Sequence, residues 1–370
     1  MKFKLIPVAA AAMLSTGAIA QSSVTLYGVL DAGIEYKTGV GKGSRGGAEV
    51  RMMSGGMSGS RWGLRGMEDL GRGLKGVFVL ESGFNIDDGK SAQASRLFGR
   101  KAYVGLAGNF GEVTLGRQET PFYAFGLRFD PMALANYSLA TQDGAFAGRA
   151  DNAIKYVGTF SGLTVNALYS FGANTGGGGF GEVPGQSKIG AETSLGLTYA
   201  TGPLAVGVVF DQTNVGAPNG TYADLQRSAD MKTRRAAVGA SYAFGPAKAF
   251  AGYRWAKAYD FAVLPGTDGK NSSNLYWLGL GYQILPAFSM TGAAYYQDVR
   301  GSGADPWTFV VSADYAFSKR TDVYWNMSYA ANKNGSSMGV GASGIGGSGY
   351  GTAAVGKNQF GTVIGLRHKF

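Results

Sequence analysis

Apolar and polar positions alternate with a period of two along most of this chain. Near the start, Val24, Leu26, Leu30, Ala32, Ile34 and Tyr36 share one parity, while Thr25, Asp31 and Glu35 share the other. The pattern returns at Leu163, Val165 and Tyr169 against Thr164, Asn166 and Ser170. It returns again at Phe309, Val311 and Tyr315 against Thr308, Ser312 and Asp314, and at Val323, Trp325, Met327 and Tyr329 against Asp322, Asn326 and Ser328. A period of two predicts strands with one greasy and one polar face. No comparable run has the helical period.

Two kinds of connection separate these segments. Short ones carry turn residues, as at Asp69–Gly73, Gly108–Gly111, Ser161-Gly162, Thr201–Pro203, Phe244–Pro246, Leu285-Pro286 and Phe317–Arg320. Long ones, rich in Gly, Ser and Asn, cover roughly 37–49, 85–95, 118–148, 172–191, 212–232, 258–273, 299–306 and 332–358. The kinds alternate, so seven turns and eight loops join sixteen strands. The expectation is an all-β fold: a sixteen-stranded antiparallel transmembrane β-barrel. Closure removes the edges and pairs every backbone group inside the protein, as a bilayer demands. Sixteen strands enclose a lumen too wide for side chains to fill, so water enters.

The side chains on each parity fix which face meets lipid. The polar parity carries Asp31, Glu35, Arg61, Arg65, Glu81, Lys155, Arg235, Arg254, Asp314 and Asp322, expected to be solvated in the lumen. The apolar parity gathers aromatics near strand ends, at Tyr36, Tyr169, Phe171, Tyr199, Tyr242, Phe244, Tyr315, Phe317, Tyr329 and Phe370, as interfacial girdles require.

Composition narrows the chemistry. Glycine occurs 62 times in 370 residues; cysteine is absent and His368 is the lone histidine. A disulfide framework, a Cys/His zinc site and a thiol nucleophile are therefore excluded. No cofactor, no metal site, no catalytic residue and no nucleic-acid partner is expected. Residues 1–20 combine Lys2 and Lys4, an apolar stretch from Leu5 to Leu14 and the small-residue end Ala18-Ile19-Ala20. They read as a secretory signal peptide, with Gln21 beginning a mature domain of 21–370. Losing those two lysines takes the net charge from +10 to +8.

The residues that carry this pattern also carry a likeness. They include the opening Gln21–Gly33, the run Ser60–Lys75 (SRWGLRGMEDLGRGLK), Leu80–Phe84, Asn109–Arg117, Arg149–Tyr156 and the ending Gly365–Phe370. The chain resembles the β-proteobacterial branch of the Gram-negative general porins over essentially all of 21–370. The resemblance implies a trimeric outer-membrane barrel for passive diffusion of small hydrophilic solutes and ions, with the third loop, 118–148, folded inward. It implies that the terminal Phe370 is a signal for the barrel-assembly machinery. Outer-membrane lipid and lipopolysaccharide, a homotrimer, and small solutes and anions are the partners it suggests.

Loop 118–148 is rich in apolar side chains, including Phe122, Phe125, Phe129, Tyr137 and Phe146, which gain by packing on an inner wall. Its Glu119, Asp130 and Asp143 are expected to form an acidic lip. Facing it, a basic wall is expected. The likeness places Arg61, Arg100 and Arg149 at the narrowest zone, with Arg65 and Arg117 as secondary candidates. Arg100 and Lys101 are adjacent, so one of them should face outward or toward a subunit interface; Arg100, sharing its parity with Arg96, is taken as the inward one. Rings of basic groups favour anions, which predicts a mild anion preference. The rival reading is a channel selective for sugars or oligosaccharides. It would need a lumen track of aromatics, for which Tyr27, Tyr276, Tyr295 and Tyr324 are available.

Overall fold

The computed structural model describes residues 23–41, 46–173, 182–214, 231–260, 271–341 and 349–370. The expected signal peptide and the mature terminus Gln21 lie outside the described residues. Among the described residues seventeen strands form one closed antiparallel sheet. They are β1 (Ser23–Val40), β2 (Gly47–Ser54), β3 (Arg61–Gly71), β4 (Leu74–Gly83), β5 (Lys101–Gly108), β6 (Gly111–Glu119), β7 (Arg149–Phe160), β8 (Leu163–Ser170) and β9 (Glu192–Thr201). Then follow β10 (Leu204–Asn214), β11 (Lys232–Phe244), β12 (Ala247–Tyr259), β13 (Ser272–Leu285), β14 (Phe288–Val299), β15 (Trp307–Ala316), β16 (Thr321–Ala331) and β17 (Gln359–Lys369).

The extra strand is a break rather than an extra stave. One edge of β1 pairs with β3 through its first half, Ser23 to Val29, and with β2 through its second, Ala32 to Val40. Strands β2 and β3 therefore share one position, and the barrel has sixteen. Between them residues 55–60 step out of the ladder. The cause lies on β1: the Asp31 carboxylate accepts the backbone N–H groups of Gly56, Met57 and Ser58 at 3.1, 2.9 and 2.7 Å and the Tyr324 hydroxyl at 2.6 Å. These bonds replace the ladder bonds that the departing backbone gives up.

The seam joins the two chain ends. Strand β17 pairs with β1 from Val29↔Lys369 to Lys37↔Gly361, and Phe370 exchanges two backbone hydrogen bonds of 3.1 Å with Gly28. All seven short connections fall where the pattern put them. At Ser161-Gly162 both residues have positive φ, 49° and 86°, the two-residue hairpin turn that matches strand twist. All ten expected girdle aromatics are exposed on the outer face.

One expectation about the inner face changes. Asp31 and Glu35 are wholly buried, and Glu81, Arg254 and Asp322 nearly so. They are not solvated by lumen water, because neighbouring side chains and the inward loop cover and hydrogen-bond them. Arg367, for instance, grips Asp322 at 3.1 Å.

The third loop begins at 120, since β6 extends to Glu119. Its first helix, Pro121–Phe129, starts with proline and is capped by Thr120, whose hydroxyl accepts the Tyr123 N–H at 3.1 Å. Phe122, Phe125 and Phe129 form its buried stripe. Phe122 stacks on Phe146 at 4.4 Å, and Phe125 and Phe146 meet the edge of Trp277 on β13. Glycines on the wall make room for this stripe. A Cβ at Gly239 would lie 2.8 Å from the Phe129 ring and 2.9 Å from Phe125. Gly239→Val is expected to lower barrel stability by about 1–3 kcal/mol, the usual cost of overpacking. The check is the temperature at which the protein loses its compact, heat-modifiable form on a gel, compared with wild type.

Candidate functional site

Loop 120–148 crosses the lumen and is tied to the wall on several sides. Trp277 donates its indole N–H to the Phe129 carbonyl at 2.9 Å, and the Tyr295 hydroxyl on β14 donates to Asp130 at 2.6 Å. Tyr137 donates to Glu35 on β1 at 2.8 Å, and the Asn136 N–H reaches the Gly56 carbonyl at 3.1 Å. Arg235 on β11 and Arg254 on β12 hold Asp143 at 3.1 and 3.2 Å.

This geometry corrects the acidic lip. Asp130 and Asp143 are buried against the far wall and point away from the open water. A carboxylate can enter such a place only with donors to receive it, and the wall supplies them. The two respond differently. Burial pushes the Asp130 carboxyl up to about 6, against the opposing bonds from Tyr295 and backbone N–H groups. Burial acts on Asp143 in the same sense, but Arg235 and Arg254 overcome it and hold that carboxyl below the usual range. Glu119 is no lip residue either. It sits at the loop's root, 3.0 Å from Lys101 and 3.7 Å from Arg149.

On the other side of the loop a water-accessible cavity of about 860 Å³ separates it from the wall of β1 to β5. Arg61, Arg100 and Arg149 line it, as do Lys37 and Arg51. The loop presents to it Tyr123, Leu127, Leu134, Asn136 and Thr141 among others, and no carboxylate; among the described residues Asp87 is the one acid on its lining. The carboxylates that pair with these cations stand behind them. Glu81 meets Arg100 at 2.7 Å and Arg61 at 3.8 Å, and Glu35 meets Arg51 at 2.6 Å. Arg149 spreads its guanidinium over the Tyr123 ring at 5.3 Å.

Arg65 and Arg117 are not on this lining. Arg65 lies over the Tyr27 ring at 5.5 Å, further toward the short-turn end. Arg117 is spent on Asp151 at 2.6 Å and the Gly99 carbonyl at 2.7 Å. The expectation that only one of Arg100 and Lys101 faces inward also fails. Lys101 points inward by strand parity and reaches Glu119, while Arg100 precedes the strand, where alternation does not bind, and reaches Glu81.

Two cavity cations, Lys37 and Arg51, were not singled out in the sequence. Arg51 was legible: it alternates with Val50 and Met52, both exposed to the outside. The aromatic track needed for sugars is not assembled. Tyr295 and Tyr324 are buried with their hydroxyls committed to Asp130 and Asp31, Tyr27 donates to Glu81, and Tyr276 faces outward. Among the described residues no cluster of His, Cys, Asp and Glu could hold a metal ion, and His368 meets only Thr321 at the outer surface.

Three comparisons bear on this arrangement. A family model described as Gram-negative porin matches residues 8–335. Outer membrane porin protein 32 of Delftia acidovorans is 34% identical, with all of both chains covered. An outer membrane porin protein of Bordetella pertussis is also 34% identical, over 90% of this chain and 95% of the relative. Among solved structures, an anion-selective porin from Comamonas acidovorans superposes with a TM-score of 0.75 at 28% identity, covering 95% of this chain and all of that one.

Proposed function

The chain belongs to the Gram-negative porin family, and from that premise we propose that its pore is an anion-preferring filter whose selectivity resides in the basic wall facing the third loop. It is an outer-membrane channel through which small hydrophilic solutes and ions diffuse passively. The observation that carries the preference is the lining of the cavity: among the described residues five cations, Lys37, Arg51, Arg61, Arg100 and Arg149, stand against the single acid Asp87. Rings of basic side chains at a narrowing favour anions. The loop contributes a neutral opposite face, so the field is one-sided rather than a basic wall facing an acidic lip.

Within this reading Arg61, Arg100 and Arg149 are the constriction residues. The solved relative at 28% identity, whose title calls it anion-selective, supports the same sign of preference. The chain works as a homotrimer matured by cleavage before Gln21, with Phe370 read by the assembly machinery, as the family likeness implies. It is a channel and performs no catalysis; hydrolysis of an ester or glycoside by the pure protein would overturn that.

The direct test is the reversal potential across a bilayer holding a potassium chloride gradient. Wild type is expected to show the sign of chloride preference, and Arg149→Gln to move it toward zero by about threefold in permeability ratio, one unit charge acting at close range in water. Cation preference in the wild type would sink the reading.

A further inference from the structure

On the lipid-facing side of the barrel, near the long-loop rim, three cations gather around one tyrosine. The Lys232 and Lys257 ammonium groups lie 5.9 and 5.0 Å from the centre of the Tyr259 ring, and the Arg234 guanidinium lies 5.2 Å from it. Register makes the cluster compact, because Lys232 pairs with Tyr259 and Arg234 with Lys257 across β11 and β12. Parity puts it outside. Lys232 and Arg234 share the side of Val238 and Tyr242, which are exposed, whereas Thr233, Arg235 and Ala237 face the lumen. Lys257 and Tyr259 likewise oppose the buried Arg254, Ala256 and Ala258.

None of the three forms an ion pair among the described residues. Among the described residues the one polar side chain that any of them holds is Gln212, whose amide oxygen accepts from Arg234 Nε at 2.8 Å. Three like charges at this spacing repel one another, and the ring face offsets only part of that.

Depth says what could sit there. Below the cluster an aromatic strip runs across four strands: Tyr253 to Tyr276 at 5.0 Å, Tyr276 to Tyr296 at 6.2 Å, Tyr296 to Trp307 at 4.7 Å. Such strips mark the boundary between hydrocarbon and headgroups. Lys257 is four residues beyond Tyr253 on the same face, roughly 10 Å nearer the rim for a strand tilted as in these barrels. The cations therefore stand at the level of lipid headgroups. The rim is the one with long loops, which in outer-membrane barrels faces the cell exterior.

We infer that Lys232, Arg234 and Lys257 form a docking site for the phosphate of an outer-leaflet glycolipid. Arg234 supplies the planar fork suited to phosphate oxygens, and the two lysines supply point charges from either side. The acyl chains would lie along the wall below, past Tyr253, Trp255 and Val238. The inference takes its membrane orientation from the barrel reading above.

The test uses the purified, delipidated protein and a variant carrying Lys232→Gln, Arg234→Gln and Lys257→Gln. Native mass spectrometry follows the binding of diphosphoryl lipid A, of the same lipid stripped of phosphates, and of inorganic phosphate. The expected result is about tenfold or more weaker binding of the diphosphoryl lipid by the variant, three surface cations being lost, with no difference for the stripped lipid. Inorganic phosphate is expected not to displace the lipid. Equal lipid binding by the two proteins overturns the proposal. So does displacement by free phosphate, which would mark a soluble-anion site, or a variant that loses subunit association while keeping its lipid. The substituted side chains face away from the lumen, so conductance should match wild type. A wild type that conducts no ions would sink the barrel reading itself, whereas a conducting wild type with variant-insensitive lipid binding sinks only this site.

Discussion

Replacing Arg61, Arg100 and Arg149 together by glutamine is expected to abolish the anion preference and carry the reversal potential through zero. A unit charge about 6 Å from a passing ion in water acts with roughly 0.7 kcal/mol, so three act with about 2 kcal/mol. Screening over a Debye length of about 10 Å removes around half of that. The potential that draws an anion repels a cation by as much, so the permeability ratio should change by about 2 kcal/mol, near thirtyfold. The arrangement of partners adds to the swing. With the arginines gone, Glu81, now 2.7 Å from Arg100 and 3.8 Å from Arg61, loses both cationic partners at one stroke while keeping the Tyr27 hydroxyl, and its charge offsets part of what Lys37 and Arg51 still supply. A buried carboxylate that has lost its cations also destabilises the barrel, so heat-modifiable mobility must first show that the variant folds. A folded variant whose ratio stays within about twofold of wild type would place the selectivity elsewhere.

The alternation of apolar and polar residues made the barrel legible because a strand's period leaves no freedom about which face is which. The turns were legible for a similar local reason, with glycine marking five of them, Pro286 the sixth and Ser318 the seventh. Other features were hidden because they depend on contacts distant in sequence. The step at 55–60 reads as an ordinary glycine-rich stretch of strand; its cause is Asp31, some 25 residues earlier, collecting three backbone N–H groups. Arg100 was assigned by an alternation rule that lapses one residue outside the strand. The loop acids show a different limit. Sequence gives the charge of Asp130 and Asp143, but an infolded loop has two faces, one to the pore and one to the wall. Which face receives them depends on Tyr295, Arg235 and Arg254, on strands more than 90 residues away.

Asp143→Ala should free the loop's second half from the wall. The carboxylate is the shared partner of Arg235 and Arg254, and Arg254 is almost wholly buried. Removing one member of a buried ion pair leaves an unmatched charge and costs about 3–5 kcal/mol. Among the described residues Arg235 retains one ion pair, with Asp211 at 4.0 Å. The same carboxylate accepts the Ala145 N–H at 3.1 Å, so the short helical turn at Gly144–Ala147 loses its cap as well. The expected readout is a rise in single-channel conductance with rapid flicker, and passage of neutral solutes that wild type excludes. Asp143→Asn separates the two contributions, because the amide oxygen can keep the cap while the charge is lost; it should still flicker. The dependence on pH has a definite sign. A carboxyl held below its unfolded value contributes stability that is full above the ordinary carboxylate range and is lost as pH falls through its folded value. Asp130, raised to about 6, acts oppositely: its protonation favours the folded loop as pH falls from about 6 toward the ordinary value. Wild type should therefore be quietest in mild acid and begin to flicker only in stronger acid, while Asp143→Asn should flicker across the range. A variant as quiet as wild type at neutral pH would mean that the aromatic packing of Phe122, Phe125 and Phe146 on Trp277 holds the loop without its ionic anchor.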